Sequence, residues 1–182
     1  MYFKLEVKKF WDKGIFTEFL CEDEALLKRL ENKIDQKVGP LNNKTNVRGK
    51  MTDWKCFIKD EDFKNFVQIF IRHMHNASFD IVNNVPPLEI IIKDAWGSIL
   101  NKGDEVWQHI HNDQYASVLY FDDYAPLQTS AGQFDTKRGL LITIPGKCPH
   151  WVDEIKEDFS RKTLVFNWQF KDFVLNKNYA DI

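Results

Sequence analysis

The chain has 182 residues, with 25 Lys plus Arg against 27 Asp plus Glu and a formal net charge of −2. That balance excludes a protein whose affinity comes from neutralising phosphates along a duplex, so duplex nucleic acid is not an expected partner. Hydrophobic residues at 43% and charged residues at 29% exclude disordered, collagenous and low-complexity chains, and the length suits a single domain over 1–182.

The N-terminus, MYFKLEVKKFW, has no apolar signal core, and no later stretch reaches about 18 uninterrupted apolar residues, so no membrane association is expected and the expected compartment is the cytoplasm. Cys21, Cys56 and Cys148 are odd in number and lack C-x-x-C spacing, which suits reduced thiols and implies no structural zinc. Phe3, Leu5 and Val7 alternate weakly and predict a short edge strand. The segment 22–36 then places Leu26, Leu27, Leu30 and Ile34 on one helical face, stopped by Gly39 and Pro40. After a polar stretch over 41–50, Asp60 opens a second helix with Phe63, Phe66, Val67, Phe70, Ile71 and Met74 at helical spacing, and Asn83, Asn84, Pro86 and Pro87 end it. His73 and His75 in this helix are two positions apart, hence about 200° apart around it, and cannot share a metal.

From Leu88 onward the chain changes to short β-rich runs at 89–100, 105–111, 115–121, 139–144, 151–155 and 162–170. Strands this closely spaced, without helices between them, favour a sandwich or barrel over a parallel βαβ sheet. The organisation read from the sequence is an N-terminal strand and two supporting helices over 1–87, a β core over 88–170 and a tail over 171–182. The connection 122–138, with Pro126 and Gly132, reads as a long loop at the opening of a site.

Three of the five histidines fall in the β half. In Gln108-His109-Ile110-His111-Asn112-Asp113, residues two apart on a strand project to one face, so His109, His111 and Asp113 can converge, with His150 supplied by a later strand. Imidazole and carboxylate suit a first-row divalent metal, and three ligands leave open positions for oxygen chemistry. An isolated His-x-His is more often a polar strand pair. Here two further spacings raise it above that reading. Gly103, with five residues before His109, and the run Gly139 to Gly146 before His150 resemble the two metal-binding motifs of the cupin superfamily, which implies a double-stranded β-helix. Arg161 stands eleven positions after His150. Arg161, Thr163, Val165 and Asn167 share one strand face, while Leu164, Phe166 and Trp168 share the other. If the first face lines a cavity and the helices cover the second, Arg161 is a permanently charged fork suited to a dicarboxylate.

Over about 45–170 these residues resemble the Fe(II)- and 2-oxoglutarate-dependent oxygenases, in particular the compact ones of phages and bacteria grouped with prolyl-hydroxylase-like enzymes. The resemblance rests on Met51-Thr-Asp-Trp54, Ala95-Trp96, Asn101-Lys-Gly-Asp104 before His109-Ile-His111, Ser117-Val-Leu-Tyr-Phe121, Pro145-Gly146, His150 and the strand from Arg161 to Asn167. It implies a mainly β fold with N-terminal helices around a double-stranded β-helix, or jelly-roll, barrel. It also implies Fe(II), 2-oxoglutarate as co-substrate, dioxygen, and hydroxylation of a small-molecule or peptidyl substrate coupled to decarboxylation to succinate; the compartment would be a host cytoplasm were the chain phage-encoded. The family's ligands are His-x-carboxylate and a distal His, followed by an Arg and a hydroxyl two positions later. His150, Arg161 and Thr163 match directly, and Asn167 and Tyr120 join them as candidate co-substrate contacts. Two ligand sets stay open: His109, His111 and His150, or His111, Asp113 and His150 with His109 behind them. Trp96, Tyr120 and Phe121 are candidates for a dry wall, although Tyr120 has opposite strand parity to His109 and would need a bulge to reach the cavity. The competing readings are a cupin metalloprotein, an isomerase or dioxygenase that needs no 2-oxoglutarate, and a non-catalytic β binding module.

Overall fold

A computed structural model describes residues 5–11, 14–39, 45–81 and 89–171. The two expected helices form with small shifts at their ends. Helix α1 (Glu24–Lys37) starts where the Asp23 carboxylate accepts the Leu26 amide at 2.9 Å, and it buries Leu26, Leu27, Leu30 and Ile34. Helix α2 (Glu61–Ile81) starts where Asp60 Oδ1 accepts the amides of Asp62 and Phe63 at 3.1 and 3.2 Å. Lys33 of α1 bridges Asp60 and Asp62 at 2.8 and 2.7 Å, tying the first turn of α2 to α1. The expected stops at Pro40 and at 83–87 lie outside the described residues, as do Phe3 and 172–182 of the tail.

The strands are β1 (Leu5–Trp11), β2 (Gly14–Leu20), β3 (Val47–Arg48), β4 (Lys50–Met51), β5 (Ile90–Leu100), β6 (Glu105–His109), β7 (Tyr115–Tyr120), β8 (Leu127–Thr129), β9 (Gly132–Phe134), β10 (Leu140–Pro145), β11 (His150–Val152) and β12 (Arg161–Phe170). They make a seven-stranded sheet in the order β1-β2-β10-β7-β12-β5-β4 and a five-stranded sheet in the order β3-β6-β11-β8-β9. All pairings are antiparallel. The fold is a two-sheet jelly roll, mainly β as read from the sequence. Among the described residues no strand pair joins the sheets into a closed barrel. Four features differ from the expectation. Strand β2 was not foreseen, β3 and β4 occupy the polar stretch, β6 stops at His109, and the expected loop 122–138 contains the β8–β9 hairpin. Strands of two or three residues are too short to show an alternating period, and their pairing comes from the sheet edge that receives them.

Strand β12 is interior to the larger sheet, paired on one side with β5 over its whole length and on the other with β7. Its Leu164, Phe166 and Trp168 face the helices, with the Phe166 ring 5.4 Å from Phe63 and the Trp168 ring 6.0 Å from Phe70. Its other face looks toward the five-stranded sheet, where Val165 packs in a second core with Trp96, Val118, Ile144 and Val152. Helix α1 lies directly on β5 at Gly97, where an added Cβ would stand 2.6 Å from Ile34 Cγ1. A Gly97→Ala substitution is therefore expected to destabilise the fold by about 1–3 kcal/mol through overpacking, read as a lower urea midpoint with an unchanged slope.

Candidate metal centre and cavity

The end of β6 and the start of β11 place His109 directly opposite His150 in the ladder of the smaller sheet. Their ring centroids are 4.2 Å apart, and His111 closes the group at 5.1 Å from His109 and 4.9 Å from His150. One ligand atom from each residue lies within 4.8 Å of the other two. Strand alternation alone does not produce this convergence, because β6 has ended before His111. The segment turns instead, and the His111 amide donates to Gly146 O at 2.7 Å while the Gly146 amide donates to Gln114 O at 2.8 Å. A Cβ at Gly146 would stand 1.9 Å from Asp113 O, so this close backbone approach requires glycine.

The same turn sets Asp113 apart from the three rings. Asp113 lines the cavity but does not join the metal-ligating cluster of the described residues, because the i, i+2 alternation that would have aimed it there stops with the strand. The three imidazoles are what the structure brings together.

Backbone carbonyls orient two of the rings. Trp107 O lies 2.8 Å from His109 Nδ1 and Cys148 O lies 2.9 Å from His150 Nδ1. A carbonyl only accepts, so each Nδ1 carries the proton and each Nε2 keeps its lone pair. His150 Nε2 stands 3.1 Å from His111 Nε2. Burial, with the neighbouring His150 and His109, pushes His111 down to about 2, and burial with His109 nearby pushes His150 down to about 4. His109 is also lowered, again by burial. The rings are neutral at pH 7, as metal ligands must be. In the unfolded chain these histidines titrate near 6.5, so the unfolded state binds more protons below that pH and stability falls as the solution is acidified through it. The metal-free protein is expected to show a lower urea midpoint at pH 5 than at pH 7.5, with a smaller difference in His111→Leu.

The cavity holding this cluster has a volume of about 260 Å³ and is lined from both sheets. Arg161, Thr163, Val165 and Asn167 all line it, the face of β12 that the sequence separated from Leu164, Phe166 and Trp168. Arg161 is 3% exposed, and its Nε donates to Ala125 O and one terminal nitrogen to Tyr120 Oη, both at 3.2 Å. Among the described residues no carboxylate lies within 4 Å of it, and Asp122 senses it only at longer range. The Thr163 hydroxyl is 2.8 Å from that of Ser98, and Asn167 Oδ1 is buried without a hydrogen-bond partner among the described residues.

Tyr120 does not line the cavity, and β7 pairs with β12 without a bulge. Strand β7 belongs to the other sheet from β6, so parity counted from His109 does not carry across the intervening turn; Tyr120 pairs with Thr163 and shares its face. It stands behind the cavity rather than lining it, fully buried, its phenol pushed up to about 12 mainly by burial. Phe121 packs on the helical side, which removes it from the wall, whereas Trp96 lines the cavity with its ring 6.3 Å from that of His111. Cys148 is buried with Sγ 3.6 Å from Ser130 Oγ. His73 and His75 lie on α2, outside the cavity lining. Sequence reasoning missed Ser98 and Asp94, both in the lining. Their spacing from Trp96 on β5 was the available signal, and the register pairs them with Thr163 and Asn167.

No protein-family model and no curated protein matches the sequence. Solved structures do match in fold. HygX from Streptomyces hygroscopicus, solved with nickel and 2-oxoglutarate bound, aligns with a TM-score of 0.64 at 8% identity over 90% of this chain and 85% of that one. The viral collagen prolyl hydroxylase of Paramecium Bursaria Chlorella virus-1, in its 2OG complex, aligns at 0.58 and 12% identity over 92% and 96%. A 2OG-Fe(II) oxygenase family oxidoreductase from Burkholderia pseudomallei aligns at 0.57 and 14% identity over 81% and 80%. With its two facing sheets and helix-backed strand β12, the chain has the jelly-roll fold of the 2OG-Fe(II) oxygenases.

Proposed function

We propose that the chain is an Fe(II)- and 2-oxoglutarate-dependent dioxygenase that hydroxylates a small-molecule or peptidyl substrate. The observation that carries this reading is a buried guanidinium, without a carboxylate in salt-bridge reach among the described residues, lining the same cavity as three neutral imidazoles. A permanent charge 3% exposed is costly unless a ligand neutralises it, and a dicarboxylate does so with matching geometry. The donor set fits a divalent metal, since His109 and His150 are backed by carbonyls at Nδ1 and so keep the Nε2 lone pairs that a metal takes. His109, His111 and His150 would hold Fe(II), and Arg161 with Thr163 would hold the far carboxylate of 2-oxoglutarate.

Bound there, iron and 2-oxoglutarate would supply dioxygen activation coupled to decarboxylation to succinate. The chain's own part is positioning and exclusion. Tyr120 and Ala125 O aim the guanidinium, while Trp96, Val118 and Val165 keep the middle of the cavity apolar. Neutral imidazoles at His109, His111 and His150 would not offset the charge of a bound divalent ion, so that charge together with Arg161 would complement a doubly negative co-substrate.

No helix among the described residues is long and apolar enough to cross a membrane, and free Cys21, Cys56 and Cys148 suit a cytoplasmic setting. The test is succinate formation from 2-oxoglutarate by the purified protein. Formation that requires both added Fe(II) and dioxygen is the expected result, and none above a metal-free control would overturn the reading. The cupin alternative shares the metal cluster but gives Arg161 no role.

A further inference from the structure

The cavity is electrically polarised along β12. Arg161 stands at one end, and among the described residues it is the one Lys or Arg in the lining. Six residues further on, about 20 Å along an extended strand, Asn167 lies directly opposite Asp94 of β5. Both face the cavity, and Asp113 lines it at the same end, two positions before Tyr115, which pairs with Trp168, and next to Gln114, whose Oε1 accepts the Phe170 amide at 3.1 Å. The histidines sit between the two ends, since Val165 pairs with Trp96 and the Trp96 ring is the one beside His111.

Three acceptor oxygens or carboxylates stand out at the far end. Asp94 and Asp113 bring carboxylates, and Asn167, 6% exposed, brings an Oδ1 with no partner among the described residues. The nearby lysines Lys93, next to Asp94 in the chain, and Lys147, next to Gly146, are exposed and outside the lining. Trp54, its ring 4.6 Å from Trp96, adds an aromatic surface at the same end. Two partly buried carboxylates beside an unpaired buried oxygen call for a cationic donor, and the tryptophans suit the apolar stem that carries it.

We propose that the substrate oxidised here carries a protonated amine or guanidinium, held by Asp94, Asp113 and Asn167 Oδ1 on the side of the three histidines away from Arg161. This rests on the dioxygenase reading for the word "oxidised" but not for the binding.

The test is calorimetric titration of wild-type protein, loaded with Mn(II) and 2-oxoglutarate, with four probes of similar size: n-butylammonium, n-butylguanidinium, n-butanol and butyrate. The cations are expected to bind at least about tenfold more tightly than the other two, and Asp94→Asn and Asp113→Asn, near-isosteric changes, to weaken them about five- to tenfold each. Asn167→Asp, which adds a third carboxylate, is expected to tighten both cations, so the outcome does not depend on how the other two variants fold. Failure of either cation to bind wild type, equal binding of butanol or butyrate, or wild-type affinity in both Asp variants would overturn the proposal. Titrating 2-oxoglutarate itself into the Mn(II)-loaded wild type separates the two readings. If 2-oxoglutarate fails to bind the Mn(II)-loaded wild type while the cations still bind as described, the dioxygenase reading falls and the cation site stands.

Discussion

His150→Ala is expected to abolish succinate formation and to lower Fe(II), Mn(II) or Ni(II) affinity by at least about 100-fold, because it removes one of three ligands rather than a supporting group, and supporting groups alone are worth about 10- to 100-fold. Metal stoichiometry of protein purified without air is the direct measurement. His150 is 4% exposed, so its removal also leaves a small cavity; His109→Ala, at a half-buried position, is the companion variant and is expected to give the same loss with less effect on folding. Full metal occupancy in both variants would remove the three-histidine centre from the account. Unchanged occupancy on Asp113→Asn is the corollary, since that carboxylate stands apart from the cluster.

The second large effect concerns Arg161. Replacing it with Gln removes a charged fork whose present partners are only Ala125 O and the Tyr120 hydroxyl. Two charge-assisted hydrogen bonds to a carboxylate are worth about 1.5–3 kcal/mol each, so 2-oxoglutarate affinity of the Mn(II)-loaded protein is expected to fall by about 100-fold or more. The fold itself is expected to tolerate the change, because a buried charge without a counter-ion does little for stability. Arg161→Lys restores the charge but not the planar fork and should recover part of the affinity. An affinity unchanged in Arg161→Gln would favour the cupin reading, in which metal chemistry proceeds without this residue. Measuring metal content in the same samples separates loss of the co-substrate from loss of the metal.

How much of this was legible in the sequence can be judged from particular residues. Apolar spacing identified both helices, because burying Leu26, Leu27, Leu30 and Ile34, or Phe63, Phe66, Val67 and Phe70, against a sheet demands that pattern whatever the neighbours are. Period-two alternation in β12 separated a cavity face from a core face correctly, since a strand obeys the same pleat wherever it lies. The histidines and Arg161 were visible as candidates by residue type and spacing.

Where the reading along the chain stayed open, a local rule had run past the end of the element that justified it. The alternation of β6 was extended to Asp113, although the strand ends at His109 and backbone contacts of Gly146 turn the chain. The parity of Tyr120 was counted from His109 across a crossing between sheets. Composition, helical faces and the polar stripe of β12 are properties of short stretches, so the sequence by itself determined them. The meeting of His109, His111 and His150, the isolation of Arg161 from carboxylates, and the facing of Asp94 with Asn167 depend on register between strands up to 73 positions apart. Those were decided only by the tertiary structure, because pairing energy accrues across the sheet and no local segment encodes its partner's alignment.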